Sequence, residues 1–269
     1  LPDTVSPYGA LKRDTYTVDL RQTGSSTPLV STTTTLASKS HQTVVATTSG
    51  GTLAMTVLSD QEGAPSSGHA KLRIFDAASA DSGAVDVYLS AAACTALATS
   101  AAAPTVANVS GLQSGYTQVT ASATPVHLCI TATGDKSDVR LDIPGVTLSD
   151  QRILTVVLTH TSGGLLLRGL LLDQQGAATA AANGLARVRV AASLSPAGPV
   201  DVSVNGTPVA AGLTSPAVGP YQLVAAGPMT VQVNGATVTP GAPLSAGAGA
   251  DVTLLVTGTG ATVTQINDD

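Results

Sequence analysis

The sequence predicts an all-β protein of tandem immunoglobulin-like β-sandwich domains, the first one incomplete, and three observations carry that reading. Apolar and polar residues alternate over strand-length runs, as with Val200, Val202 and Val204 against Asp201 and Ser203; that period of two marks strands buried on one face. Turn signals separate the runs, among them Asn205-Gly206 and Asn234-Gly235, the dipeptides that suit a two-residue type I′ hairpin. The chain also repeats itself, and the repeat dictates the domain organisation.

In chain order, a rear half comes first. It opens on Tyr8, continues through the alternating strand TYTVDL at 15–20 and QTVVATTSGG at 42–51, and closes with LAMTVLSDQEG at 53–63. A front half follows, HAKLRIFDAAS at 69–79 and VDVYLS at 85–90, then a second rear half from Tyr116 through VHLCITA at 126–132, ILTVVLTHTSGG at 153–164 and LLLRGLLLDQQG at 165–176. The last unit repeats both halves: LARVRVAASLS at 185–195, VDVSVN at 200–205, Tyr221, MTVQVNG at 229–235, DVTLLVTGTGA at 251–261 and TVTQINDD at 262–269. The predicted domains are therefore 1–68, a rear half only, then 69–184 and 185–269, each a sandwich of about seven short strands. Gly, Pro, Ser and Ala mark linkers at 60–69 and 173–184, short enough to restrict the angle between neighbours. No segment has helical periodicity; the Ala-rich stretch 91–103, stopped by Pro104, reads as a long loop with at most one helical turn.

Composition removes whole classes of function. Of 269 residues 43% are hydrophobic, only 2% aromatic and 11% charged, and neither a Gly-x-y period nor a heptad occurs, so collagen and coiled coil are excluded. The densest apolar run, 165–172, is short and holds Arg168, which argues against membrane insertion. Twelve basic side chains against seventeen acidic ones, net charge −5, leave no cluster to neutralise phosphates, so nucleic acid is not an expected partner. His41, His69, His127 and His160 form no metal-ligand spacing, and no G-x-S-x-G elbow occurs; we expect no catalytic residue, no metal and no cofactor.

The remaining polar residues read structurally. Asp60, Asp173 and Asp268 recur at the end of the closing strand as turn caps, while Asp86 and Asp201 recur inside a strand facing away from the valines, a place that solvent explains. GDKSD at 134–138 reads as a hairpin tip rather than a calcium loop, and Tyr8, Tyr116 and Tyr221 as rings filling the sandwich ends. Sequons at Asn108 and Asn205 and the threonine tract at 31–35 offer glycan attachment, though turn chemistry and β-propensity explain both. Cys94 and Cys129, the two cysteines of a low-charge chain, read as one disulfide formed in an oxidising compartment, the alternative being two buried thiols. The chain starts at Leu1, not Met, which reads as removal of an upstream segment and a secreted or cell-surface location.

The motif series of [KR]-[LV]-R-[IV], VDV[YS], an NGT-type hairpin, a Tyr strand, a T-V-V strand and a closing L-L-D resembles a family of bacterial secreted and cell-surface proteins built from tandem β-sandwich repeats, a domain of unknown function. It covers residues 70–269 well and 1–63 through the rear half alone, and Ser203 drops the aromatic that Tyr88 keeps. The resemblance implies fold and location and brings no catalytic residue.

The missing front half is the informative feature, because half a sandwich leaves a strand edge and an apolar face in water. We expect an extracellular structural subunit that assembles with itself, head to tail, into a surface filament or sheath through β-strand complementation of the first domain. The expected interface holds Tyr8, Val18, Leu20 and Val45. The alternative is a monomeric cell-surface adhesin or binding module without catalytic activity.

Overall fold

The computed structural model describes residues 5–49, 51–161, 164–239, 241–259 and 261–268. Gly50 of the run 42–51 and Ser162 and Gly163 of the run 153–164 lie outside the described residues. The fold is almost entirely β, in several multi-strand sheets of which none closes into a barrel.

Two antiparallel hairpins open the chain: β1 (Asp14–Arg21) with β2 (Pro28–Leu36), and β3 (Gln42–Ser49) with β4 (Thr52–Ser59). Each remains a sheet of two strands. The hairpins approach one another through β2 and β4, yet among the described residues of 5–60 only Leu58 and Asp60 are buried.

The next unit is a closed sandwich. Its strands are β5 (His69–Asp76), β6 (Val85–Ser90), β7 (Val106–Val109), β8 (Thr117–Thr120), β9 (Ser122–Ala132), β10 (Asp135–Leu148), β11 (Ile153–His160), β12 (Leu167–Asp173) and β13 (Ala178–Ala181). One sheet runs β10-β9-β6-β7 and the other β13-β12-β11-β5-β8. Apolar residues of both, including Leu72, Ile74, Val87, Ile130, Leu154 and Val156, form one core with no solvent exposure. The register is set by a parallel pair, Leu72 opposite Leu154 and Ile74 opposite Val156, which places the apolar faces of β5 and β11 on one side.

The same pairing recurs in the last unit, built from β14 (Leu185–Leu194), β15 (Pro199–Val204), β16 (Thr207–Thr214), β17 (Ala217–Val218), β18 (Gln222–Ala225), β19 (Gly227–Met229), β20 (Val231–Val233), β21 (Ala236–Thr237), β22 (Leu244–Ala246), β23 (Asp251–Gly258) and β24 (Thr262–Asn267). Here β14 runs parallel to β23 and antiparallel to β17 and β18, while β15 pairs with β16 and β20. Asn205 and Gly206 adopt φ of 51° and 82°, the left-handed pair that a type I′ turn requires.

Cys94 and Cys129 are joined, S–S 2.02 Å, tying the 3₁₀ turn Cys94–Thr99 to β9. Closing that loop stabilises the unit by about 3–4 kcal/mol in the chain-entropy model. A short helix at Ser79–Ser82 has no periodic signal in the sequence. The segment 173–184 is not all linker, because Ala178–Ala181 pairs with β12 as an edge strand, small side chains being no bar to ladder hydrogen bonds. Both junctions are pinned. Gln174 exchanges two hydrogen bonds with Glu62 across 112 residues, and buried Asn183 bonds the backbone of Arg140, Asp142, Leu167 and Leu185.

Candidate functional site

The front-half strands give each closed unit an arginine opposite a threonine: Arg73 opposite Thr155 and Arg189 opposite Thr253. Around each such pair the fold gathers a tyrosine. Arg73 donates to Thr155 Oγ1 from Nε at 3.1 Å and Nη2 at 2.9 Å and lies 4.5 Å over the Tyr116 ring. Arg189 Nε donates to Thr253 Oγ1 at 2.8 Å, its guanidinium 4.7 Å over Tyr221, with Arg187 on the same ring. Asp268 completes the last unit's cluster, accepting from Tyr221 at 2.7 Å and Thr253 at 2.6 Å, with Arg189 at 3.6 Å. Burial would raise the Asp268 carboxyl, but the hydrogen bonds from Thr253 and Tyr221 and the charge of Arg189 outweigh it, and its pKa lies below the ordinary 3.8. Tyr221 moves up from 10.0 through burial and its bond to that carboxylate.

The first unit builds a similar cluster, in which among the described residues no arginine of its own faces the threonine. Tyr8 Oη donates to Asp60 Oδ2 at 2.8 Å and Thr43 Oγ1 donates to the same oxygen at 2.6 Å. Asp60 is 7% exposed, whereas Tyr8 is 47% exposed, and its ring stands perpendicular to that of His41, centroids 5.9 Å apart. Arg73 reaches Asp60 Oδ1 at 3.9 Å from the neighbouring unit. Burial raises the Tyr8 pKa and Asp60 adds to the rise, against the opposing bond from Thr43.

These contacts correct the structural readings of several residues. Tyr116 and Tyr221 are cation platforms and Tyr8 and Tyr221 donate their hydroxyls to carboxylates, while Tyr8, being exposed, fills no sandwich end. Asp60 and Asp268 serve those hydroxyls, while Asp173 instead pairs with Arg152 at 2.6 Å. Asp86 is not a solvent residue: it is 5% exposed and accepts the backbone N–H of Asn108 at 2.7 Å and Gly134 at 2.9 Å, because an irregularity in the β6–β7 pair and the β9–β10 turn bring those groups to it. Asp201 does stay exposed and accepts from Gly212. GDKSD forms a tight hairpin between β9 and β10, closed by Asp135 bonds to Ser137.

Of the expected interface residues, Val18 and Leu20 lie half-buried on β1 and Tyr8 lies exposed beside β3. Val45 packs elsewhere, against Leu58, Phe75, Val157 and Leu170 on the outer face of the second unit. Tyr8 and Thr43 meet; Val18 and Leu20 belong to the other hairpin. Thr43 is the member the sequence reading passes over, although its recurrence at Thr155 and Thr253 is visible in it, and Asp60, whose recurrence at Asp268 is noted, reads there only as a turn cap.

Donor-rich groups elsewhere offer little. Cys94, His127 and Asp142 converge within 4.8 Å, but the sulfur is spent in the disulfide and Asp142 is bonded by His127 Nδ1 at 2.6 Å and the Cys94 N–H. That donor set lacks the thiolate a metal would take. A shallow depression of about 370 Å³ at the first junction is lined by Ser59, Glu62, Arg73 and Tyr116 among others.

No curated protein matches this chain. Residues 2–88 match the family described as a domain of unknown function, DUF4397. The DUF4397 stretch takes in β1–β4 and β5 and ends within β6, so it joins the open hairpins to the first arginine strand. The family resemblance is expected to be best over 70–269, whereas the DUF4397 match falls mainly ahead of that stretch. Among the described residues no helix is long and apolar enough to cross a membrane.

Proposed function

We propose that this chain is an extracellular, non-catalytic structural subunit that assembles head to tail into a surface filament or sheath, with β-strands of a neighbouring subunit completing its first unit. One observation carries the proposal. In the closed units the counterparts of β3, namely β11 and β23, are flanked on both sides, whereas β1 and β3 each have a partner on one side alone among the described residues. Open ladders of this kind are templates for strand addition, and a heterologous contact that does not close produces a filament. The disulfide suits an oxidising location.

The packing of Val45 and Leu58 on the second unit favours a second reading, a monomeric surface module whose half-unit is partly covered by its own chain. Negative-stain microscopy and sedimentation velocity separate the two. Fibres or concentration-dependent oligomers, lost when residues 1–68 are removed, support the subunit; a monomer at all concentrations supports the module.

A further inference from the structure

We propose that reduction of the Cys94–Cys129 disulfide converts its surroundings into a tetrahedral site for a zinc-like divalent cation, with both sulfurs, His127 and Asp142 as the donors. The inference concerns the second unit and does not depend on the strand-complementation reading.

Two strands fix three of the donors. His127 and Cys129 stand two residues apart on β9 and so share a face, and Asp142 lies opposite Cys129 on β10. The fourth, Cys94, reaches over them from the 3₁₀ turn Cys94–Thr99. Donor atoms of Cys94, His127 and Asp142 lie within 4.8 Å of one another, whereas zinc bonds of about 2.0–2.3 Å set tetrahedral donors about 3.3–3.8 Å apart. The turn can supply the shift of about 1 Å that closes this gap, since Ala93, Thr95, Ala96, Ala98 and Thr99 are exposed.

Burial and charge suit an ion. Cys94 and Cys129 have no solvent exposure and Asp142 has 4%, with Tyr88, Leu97, Val139, Leu166 and Leu185 packed round the sulfurs. A carboxylate in such a place needs hydrogen bonds or a cation. Among the described residues Asp142 has no lysine or arginine partner; it accepts from His127 Nδ1 at 2.6 Å and the Cys94 N–H at 3.1 Å. His127, half-buried, is where the cluster meets solvent.

A dithiol reductant breaks the S–S bond by thiolate attack through a mixed disulfide. Two electrons pass to the cysteines, which become two thiols, and the reductant leaves as a cyclic disulfide. The cation then displaces both thiol protons to solvent, and the proton that His127 Nδ1 shares with Asp142 moves to Nε2, freeing Nδ1 as a donor. A low-molecular-weight disulfide takes the two electrons back and expels the ion. Two thiolates and an imidazole select zinc over calcium and magnesium, which take oxygen donors. Since the disulfide and the ion use the same sulfurs, the site exists only in the reduced chain.

The probe is cobalt(II), whose near-ultraviolet charge-transfer band reports thiolate ligands and whose visible bands report tetrahedral geometry. The full chain is reduced in urea with a trialkylphosphine, which with water becomes the phosphine oxide, then refolded under nitrogen and titrated. One cobalt per chain is expected, with both sets of bands, lost on adding zinc or on reoxidation; the oxidised chain should give none. His127→Gln should leave the circular dichroism of the oxidised chain unchanged and weaken cobalt binding by the reduced chain about tenfold or more, as should Asp142→Asn. Binding that ignores His127→Gln would mean that the sulfurs alone hold the ion and overturns the site. Cobalt bands in the oxidised chain overturn it too, as does a reduced chain, its two thiols confirmed by titration, that binds no cobalt or stays unfolded with zinc.

Discussion

Asp268 and Asp86 show how much single carboxylates organise. The Asp268 pKa lies below 3.8 in the folded chain, so folding gains stability from it above the unfolded value and loses that stability as pH falls through the folded one. Urea midpoints of the last unit should be flat near neutrality and decline as pH drops below about 4; Asp268→Asn should flatten that decline, and an unchanged slope would refute the assignment. Asp86 accepts two backbone N–H groups while buried, and removing it strands both donors. Asp86→Ala should cost roughly 2–4 kcal/mol and Asp201→Ala, exposed with one such bond, about 1 kcal/mol, read from denaturant unfolding. The alternating pattern made the two look alike, because a polar residue between valines reads as solvent-facing until the irregular pairing and the turn that reach it are known. The Tyr, Thr, Asp and Arg of each cluster are dispersed along the chain; only their recurrence at equivalent repeat positions signalled that they meet.

At the scale of elements, strands and turns were legible because alternation and Asn-Gly pairs are local. Pairing partners were legible only through the repeat. The parallel β5–β11 and β14–β23 ladders have no local signal, since parallel neighbours are far apart in sequence and joined by no tight turn. The edge strand Ala178–Ala181 escaped notice for a related reason, its alanines carrying neither β-branching nor an apolar stripe. Leu154 and Val44 stand next to the matching threonines Thr155 and Thr43, one fully buried between two sheets and the other half-buried on an open hairpin. Leu154→Ala should therefore cost about 2–5 kcal/mol and Val44→Ala under about 1.5 kcal/mol, since little apolar area leaves a packed core. Equal losses in denaturant titrations would mean that the first unit carries a core of its own.

For the molecule as a whole, the gradient of closure from the first unit to the others should govern its dynamics. From Leu154 to Leu158 the amides of β11 lie between ladders with β5 and β12, and β23 is likewise flanked by β14 and β24. On β3 and β1, alternate amides point away from their single partner toward an open edge. Amides without a ladder bond exchange by local opening, whereas those within a closed sheet wait for larger unfolding. Hydrogen exchange of the dilute chain should thus show alternating fast amides along Gln42–Ser49 and uniformly slow ones along Leu154–Leu158. Addition of a peptide with the sequence of residues 69–90 should slow the fast set on β3, and a charge on β1, as in Val18→Asp, should leave β11 protection untouched. Uniform protection of β3 in the isolated chain would contradict an open edge and remove the basis for complementation.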